Sequence, residues 1–295
     1  MSAVIDLHVH VISADVQRYP LAPLSGHQSD WARERPVGVE KMLDAMNEAG
    51  AASSALVQAS TSYGHDNSCV ADAVAAHPER FTGVFSVDVF QSGAPERIRY
   101  WLSRGLSGLR IFIAGHTAAV KDTRLDDPRS FPAWESAGDA GIPVCVQLRA
   151  AGLPQLATML ERFPQVRVVL DHMARPAIDD GPPYAAAASL FALARYRNLY
   201  LKLTTHNVRE ARQGRATPES FFSRVVSEFG AERIAWGSNF PASEGSLPGL
   251  LAEARAALAA LPNRDHDWIF FRTAQSLYPI IRESGSSSPK KKEDR

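Results

Sequence analysis

Near the N-terminus, Asp6-Leu7-His8-Val9-His10 sets two histidines two residues apart in an apolar frame of Val4, Ile5, Leu7, Val9 and Val11. Alternate side chains on a strand share a face, so His8 and His10 are expected to point the same way, about 7 Å apart. Asp6 is expected on that face too, one step deeper, where a carboxylate can orient an imidazole. Two imidazoles held this way can grip a cation, polarise a carbonyl or pass a proton. A buried strand whose histidines are merely hydrogen-bonded has the same pattern. What separates the two is how the later strands end.

Short β-like runs follow near Ser53–Ser60, Phe81–Asp88, Ser107–Ala114, Ile142–Arg149, Val166–His172, Leu199–His206 and Ile234–Asn239. Between them lie amphipathic stretches, such as Leu153, Leu156, Met159, Leu160 and Phe163, or Phe221, Phe222, Val225 and Phe229. Thr217-Pro218-Glu219 has the capping hydroxyl, the early proline and the acid of a helix start. Eight strand signals alternating with helices predict a single-domain (β/α)8 TIM barrel over residues 1–282, with a doubly wound open sheet as the competing fold. Residues 283–295, rich in serine and then charged, are expected to be a disordered tail.

Strand parity favours the barrel. Val144, Val146 and Leu148 oppose Cys145, Gln147 and Arg149; Leu199, Leu201 and Leu203 oppose Lys202, Thr204 and His206. Strands buried on both faces of an open sheet read as nearly continuous apolar runs. Here one face turns polar toward each C-terminal end, as barrel strands do where they line a site. That places His8, His10, Ser60, Asp88, Arg110, Gln147, Arg149, His172, His206 and Asn239 at the C-terminal mouth. Arg110 and Arg149 suit a substrate carboxylate, since a guanidinium offers a planar fork; pairing with Asp88 or another internal acid is the competing role.

Composition narrows the partners. Among 295 residues, Lys+Arg and Asp+Glu balance at 32 each, which argues against nucleic acid or an anionic membrane. Two isolated cysteines, Cys69 and Cys145, read as buried thiols. There is no basic segment followed by an apolar core at the start and no run long enough to span a bilayer, so a cytoplasmic protein is expected. The long loop from about Ile12 to Pro36 carries Tyr19, His27, Trp31, Arg33 and Arg35, suited to a lid or binding loop over a small-molecule substrate, with a solvated loop as the equal alternative. Homo-oligomerisation is left open.

Several stretches together resemble a known family. The opening His-x-His, Tyr19-Pro20-Leu21-Ala22-Pro23, Val57-Gln58, Tyr63-Gly64-His65-Asp66-Asn67, Gly105-Leu106-Ser107-Gly108-Leu109-Arg110, Leu170-Asp171-His172-Met173-Ala174-Arg175-Pro176 and Trp236-Gly237-Ser238-Asn239-Phe240-Pro241 resemble the amidohydrolase-2 group of TIM-barrel hydrolases. The branch nearest in pattern contains sugar-lactone and pyrone-dicarboxylate lactonases. The resemblance implies opening of a small, carboxylated lactone. His8, His10, His172 and position 239 would do the chemistry, and Arg110, Gln147, Arg149, Gln58, Tyr63 and His206 would bind substrate.

Two departures matter. Position 239 is Asn, where the best-understood members carry Asp, and an amide cannot take a proton from water at neutral pH. The strand-four and strand-five positions that complete a metal site in metal-dependent members hold Arg110 and Gln147. The expectation is therefore no cofactor and a metal-independent site, with His8, His10 and His172 as the ligands of any weakly held divalent ion such as Zn2+. A metal-dependent amidohydrolase or decarboxylase, and a binding protein that has lost its base, stay open. With Asn at 239, His172 is the expected base and His206 the second candidate.

Overall fold

Eight parallel strands, hydrogen-bonded in sequence order, form the barrel in the computed structural model, which describes residues 3–24, 26–113 and 124–278. The tail expected at 283–295 lies outside the described residues. The strands are β1 (Val4–Val9), β2 (Ala51–Val57), β3 (Phe81–Ser86), β4 (Gly108–Phe112), β5 (Val144–Gln147), β6 (Val168–Leu170), β7 (Leu199–Thr204) and β8 (Ile234–Gly237). The ring closes where the ends of β8 and β1 meet: Asn239 N–H donates to His8 O at 2.8 Å and His10 N–H to Phe240 O at 2.9 Å. Gly237 makes that approach feasible, since a Cβ there would lie 2.6 Å from His8 Cβ.

The parity argument holds from strand to strand. Leu199, Leu201 and Leu203 are buried among the surrounding helices with Val144, Val146, Leu109 and Ile111. Each such side chain contributes about 2 kcal/mol on leaving water. The opposite faces build a second cluster inside the barrel, with Ile5, Leu7, Ala55, Val57, Val84, Cys145, Val169 and Ala235. Its lower end is filled by the last described segment, where Phe271, Ala274, Leu277 and Tyr278 enter the same cluster. Among the helices, Val39–Ala49 stops at Gly50, whose φ of 69° lies in the left-handed region. Thr217 Oγ1 accepts from Ser220 N–H, as its sequence predicts.

The β1–β2 pairing is irregular at two places, between Val4 and Ile5, where β2 has the extra residue, and between Asp6 and Val9. Between Asp6 and Val9, β1 has one residue more than β2, where the pairing passes from Asp6↔Ser54 to Val9↔Leu56. This bulge lets Ile5 and Leu7 face the interior while His8 and His10 still converge at the mouth. Asp6 consequently does not reach an imidazole. Its Oδ1 accepts from the backbone N–H groups of His8 (3.0 Å) and Ser238 (2.9 Å), stitching β1 to the end of β8.

Among the described residues, no helix is long and apolar enough to cross a membrane.

Candidate active site

The strands end in turns that aim their last side chains inward. After β6, His172, Met173, Ala174 and Arg175 all have φ between 47° and 60°. A left-handed run costs on the order of 1 kcal/mol per residue. It is held by Asn207 Nδ2 donating to His172 O at 2.8 Å and by the Arg175–Glu210 ion pair at 2.6 Å. β7 stops at Thr204 because Asn207 caps it, so His206 sits on the short helix Thr205–Glu210 and not on the strand. Asn239, with φ 60°, takes a conformation that Asn tolerates better than most residues.

These turns bring His8, His10 and His172 together. The His8 and His10 rings lie 4.8 Å apart with Nε2 to Nε2 at 3.1 Å, closer than an ideal strand would set them, and the His8 and His172 rings are 5.0 Å apart. His10 Nδ1 is 2.7 Å from Val57 O, a pure acceptor, so the proton of neutral His10 sits on Nδ1. His8 Nε2–H then donates to His10 Nε2, which leaves His8 Nδ1 without a hydrogen-bond partner. His172 Nδ1 lies 2.9 Å from Thr204 Oγ1, whose own proton goes to Asn207 Oδ1 at 3.3 Å. His172 thus donates from Nδ1 and keeps a bare lone pair on Nε2.

Beneath the histidines lies an ionic cluster. Asp171 Oδ1 is 2.7 Å from Lys202 Nζ, and its Oδ2 accepts from Arg110 Nε at 3.2 Å. Lys202 is fully buried and Arg110 4% exposed. Burial alone would raise the Asp171 carboxyl, but Lys202 and then Arg110 outweigh it and hold it well below the usual carboxylate range. Burial lowers the three histidines: His10 to about 3, His8 and His172 well below 6.5. With neutral imidazoles, two cations and one anion leave the cluster one net positive charge.

A cavity of about 330 Å³ opens above this floor, lined by His10, His172, His206, Asn239, Arg110 and Gln147 among others. Trp31, from the long loop, stacks on His10 at 5.3 Å and forms one wall. The loop is pinned by Ser29 Oγ on Thr61 Oγ1 (2.9 Å) and by Ala22 N–H on Ser62 O (2.8 Å). Among the described residues, no carboxylate lines this cavity. A larger groove of about 730 Å³ runs outside the mouth. Its half-buried carboxylate, Asp72, is already paired with Arg18, Tyr19 and Arg104, so the convergent chemistry belongs to the smaller cavity.

Several residues expected at the mouth do other work. Gln58 is buried and its amide donates to Gly64 O and Asp66 O, shaping the turn after β2. Tyr63 is buried in the outer core, its hydroxyl accepting from Ser13 N–H. Arg149 does not line the cavity; it stands near Arg175 and Glu210. Asp88 caps Phe90 N–H and lines a separate pocket with His65 and Arg97. Arg110 does reach the cavity, but it pairs with an internal acid, Asp171. It also donates to Gln58 O at 3.1 Å and to Gln147 Oε1, so only part of its fork faces a ligand. Asn239 Nδ2 is 3.4 Å from His206 Nε2 and 3.1 Å from Ser243 Oγ. Sequence reasoning missed Asp171 and Lys202 as a pair. The signals were present: Asp171 precedes His172, and Lys202 falls on the inward parity of an otherwise apolar strand.

The family model described as amidohydrolase (Amidohydro_2) matches residues 5–280. The chain belongs to that family. An L-fucono-1,5-lactonase from Burkholderia ambifaria is 32% identical over 141 residues, 47% of either chain. The chain thus matches about half the length of that curated relative. A crystal structure of a putative 2-pyrone-4,6-dicarboxylic acid hydrolase from Pseudomonas putida superposes with a TM-score of 0.77 at 21% identity, covering 95% of this chain and 99% of that one. An amidohydrolase from Burkholderia multivorans with bound zinc gives a TM-score of 0.75 at 18% identity, over 94% and 99%. At these identities the solved structures speak to the amidohydrolase barrel alone.

One structurally similar barrel holds zinc, so the fit of a metal to this site is a fair test. In favour, His8, Asp171 and His172 offer three ligand atoms within 4.8 Å of one another. Against it, both carboxylate oxygens are already taken by cations, and a catalytic zinc set needs a free anion or a third open imidazole. The set formed with Asp171 therefore does not fit a divalent ion, while His8, His10 and His172 alone offer imidazole nitrogens and no free anion.

Proposed function

We propose that this amidohydrolase hydrolyses a small lactone, without a metal, and that His172 is its general base. The observation that carries this is the fixed tautomer of His172: Nδ1–H is committed to Thr204 and Nε2 is left bare in a residue that lines the cavity. The half-length lactonase relative supports the cyclic-ester chemistry. Water attacks the ester carbonyl carbon and gives its proton to His172 Nε2. The oxygen of the tetrahedral intermediate faces the net positive cluster around Arg110, which replaces water's solvation of that charge. The ring C–O bond then breaks, and His172 returns the proton to the leaving alkoxide, giving a hydroxy acid. Trp31 supplies a flat apolar wall for the ring, and the positive mouth suits a substrate that carries a carboxylate.

His172→Asn tests the assignment. On a lactone that the parent opens, kcat should fall by about 10²-fold or more with KM little changed. Near-parental turnover would remove His172 as base. Asn239→Asp adds a carboxylate beside His206 and should preserve product binding. If the parent turns over nothing and Asn239→Asp starts hydrolysis, the binding-protein reading replaces the enzyme reading.

One observation favours a metal-dependent reading: the His8 and His10 Nε2 atoms at 3.1 Å are spaced much as two imidazoles on one Zn2+ would be. The hydrogen bond derived above accounts for the same distance. Metal content of the purified protein decides between them.

A further inference from the structure

The cluster of His8, Asp171 and His172 has the spacing of a metal site, but its only carboxylate is held on both sides. We propose that Lys202 is a built-in cation occupying the electrostatic role of a divalent metal: its ammonium on Asp171 Oδ1 keeps Zn2+ out of the cluster and fixes Asp171 as the anchor of Arg110. The inference rests on the metal-free reading above but not on the lactone.

The placement of Lys202 is specified by the fold. It enters from β7 between Leu201 and Leu203, both buried in the outer core, so its own side chain must go inward. Its neighbour across the sheet is Ala235, and that small side chain leaves the lysine stem room in the interior. Nζ lies 2.7 Å from Asp171 Oδ1 and 3.8 Å from Cys145 Sγ, and the Tyr278 hydroxyl contacts the same sulfur at 3.5 Å. A fully buried ammonium persists only where an anion and hydrogen-bond acceptors compensate it, and here Asp171 is that anion. A divalent ion ligated by Asp171 would stand within a few ångströms of both Nζ and the Arg110 guanidinium. Like charges at such separation in a site closed to water repel strongly. The same arrangement ties Lys202 to catalysis at one remove. Asp171 holds Arg110 Nε, so Lys202 is a positioning residue acting through Asp171, and it touches no substrate.

Metal binding reads this without any substrate. The full chain, stripped with a chelator, is titrated with Zn2+ against a chromophoric chelator, and separately with Co2+ for its visible absorption. Lys202→Met should bind Zn2+ about 10²-fold more tightly than the parent and develop a Co2+ band. Adding His172→Ala should abolish both gains, which ties them to the cluster and not to the surface. Arg110→Met frees Oδ2 while leaving the ammonium in place, and serves if Lys202→Met does not fold; it should gain about tenfold. One equivalent of Zn2+ held by the parent as tightly as by Lys202→Met would overturn the proposal. So would parental affinity in whichever of the variants fold. Loss of the lactone reading leaves this result untouched, because a chain that opens no lactone can still gain metal when Lys202 is removed.

Discussion

The two halves of the barrel interior are filled by different physics. In the lower half, Ile5, Leu7, Ala55, Val84, Val169 and Ala235 surround a plug of Phe271, Leu277 and Tyr278, and shape does the filling. In the upper half, Asp171, Lys202, Arg110 and three histidines fill comparable space with charge and hydrogen bonds. The lower half is nearly all apolar, although Ser53 Oγ and Ser54 Oγ at the start of β2 are also buried without partners. The upper half keeps buried polar atoms without hydrogen-bond partners, among them His8 Nδ1, Ser60 Oγ and Asp6 Oδ2, and it keeps the left-handed run at 172–175. Backbone strain gathered at one end of a barrel beside a cluster of ionisable side chains marks the end where chemistry is done.

The sharpest way to break this comparison is to remove the anion of the upper half. Asp171→Asn keeps the volume but leaves Lys202 and Arg110 buried without a counter-charge. Removing one partner of a buried ionic cluster costs roughly 3–5 kcal/mol. Urea denaturation of the variant should show a loss of that size together with loss of activity. A change under about 1 kcal/mol would mean that the three charges are not coupled.

Asp6 probes the seam between the halves. Burial raises its carboxyl from 3.8 to about 6, against the opposing hydrogen bond from Ser238. The folded chain therefore binds this proton more tightly than the unfolded chain. The stability it lends is fully present below pH 3.8 and is lost as pH rises through about 6. A difference of about two pH units corresponds to on the order of 3 kcal/mol. Asp6→Asn keeps an oxygen for the His8 and Ser238 amides and has no proton to lose. It should match the parent near pH 4 and exceed it at pH 7.5 by up to that amount. Parallel stability curves for the two proteins from pH 4 to 8 would show that Asp6 does not titrate in this window.

What was legible follows the same division. Strand order and the inward face could be read along the chain, because apolar alternation in Leu199–Leu203 or Val144–Leu148 is a local signal. Trp31 was legible only as one residue of a loop that could equally have been solvated; its stacking on His10 places it in the cavity wall. Asp6 was misplaced because a single inserted residue reverses parity, and nothing in Val4–Val9 announces the bulge. Gln58 and Tyr63 were drawn into the site by their motif, yet the turn they build is what the motif encodes. Lys202, on β7, and Asp171, in the turn after β6, were overlooked as partners because they lie 31 positions apart, and a pair across neighbouring elements has no spacing rule to betray it.

The smallest expected effect lies in the lower half, at Gly108. Its Arg110 neighbour two residues on made Gly-x-Arg look like a site motif, but the glycine answers to packing. A Cβ at 108 would sit 2.9 Å from Tyr278 Cε1 and 3.0 Å from its hydroxyl, while the backbone of Gly108 has no left-handed φ to relieve. Gly108→Ala therefore forces the tyrosine ring to move by a few tenths of an ångström inside a filled cluster. Overpacking of this kind costs typically 1–3 kcal/mol. The shift is directed at the plug, away from His172 and the cavity, so kcat/KM at a temperature where both proteins are folded should stay within about twofold of the parent. Thermal and urea unfolding measure the first quantity and turnover the second. If Gly108→Ala loses activity as fully as Asp171→Asn while keeping its stability, the two halves are not independent, and strand β4 transmits the plug's position to Arg110.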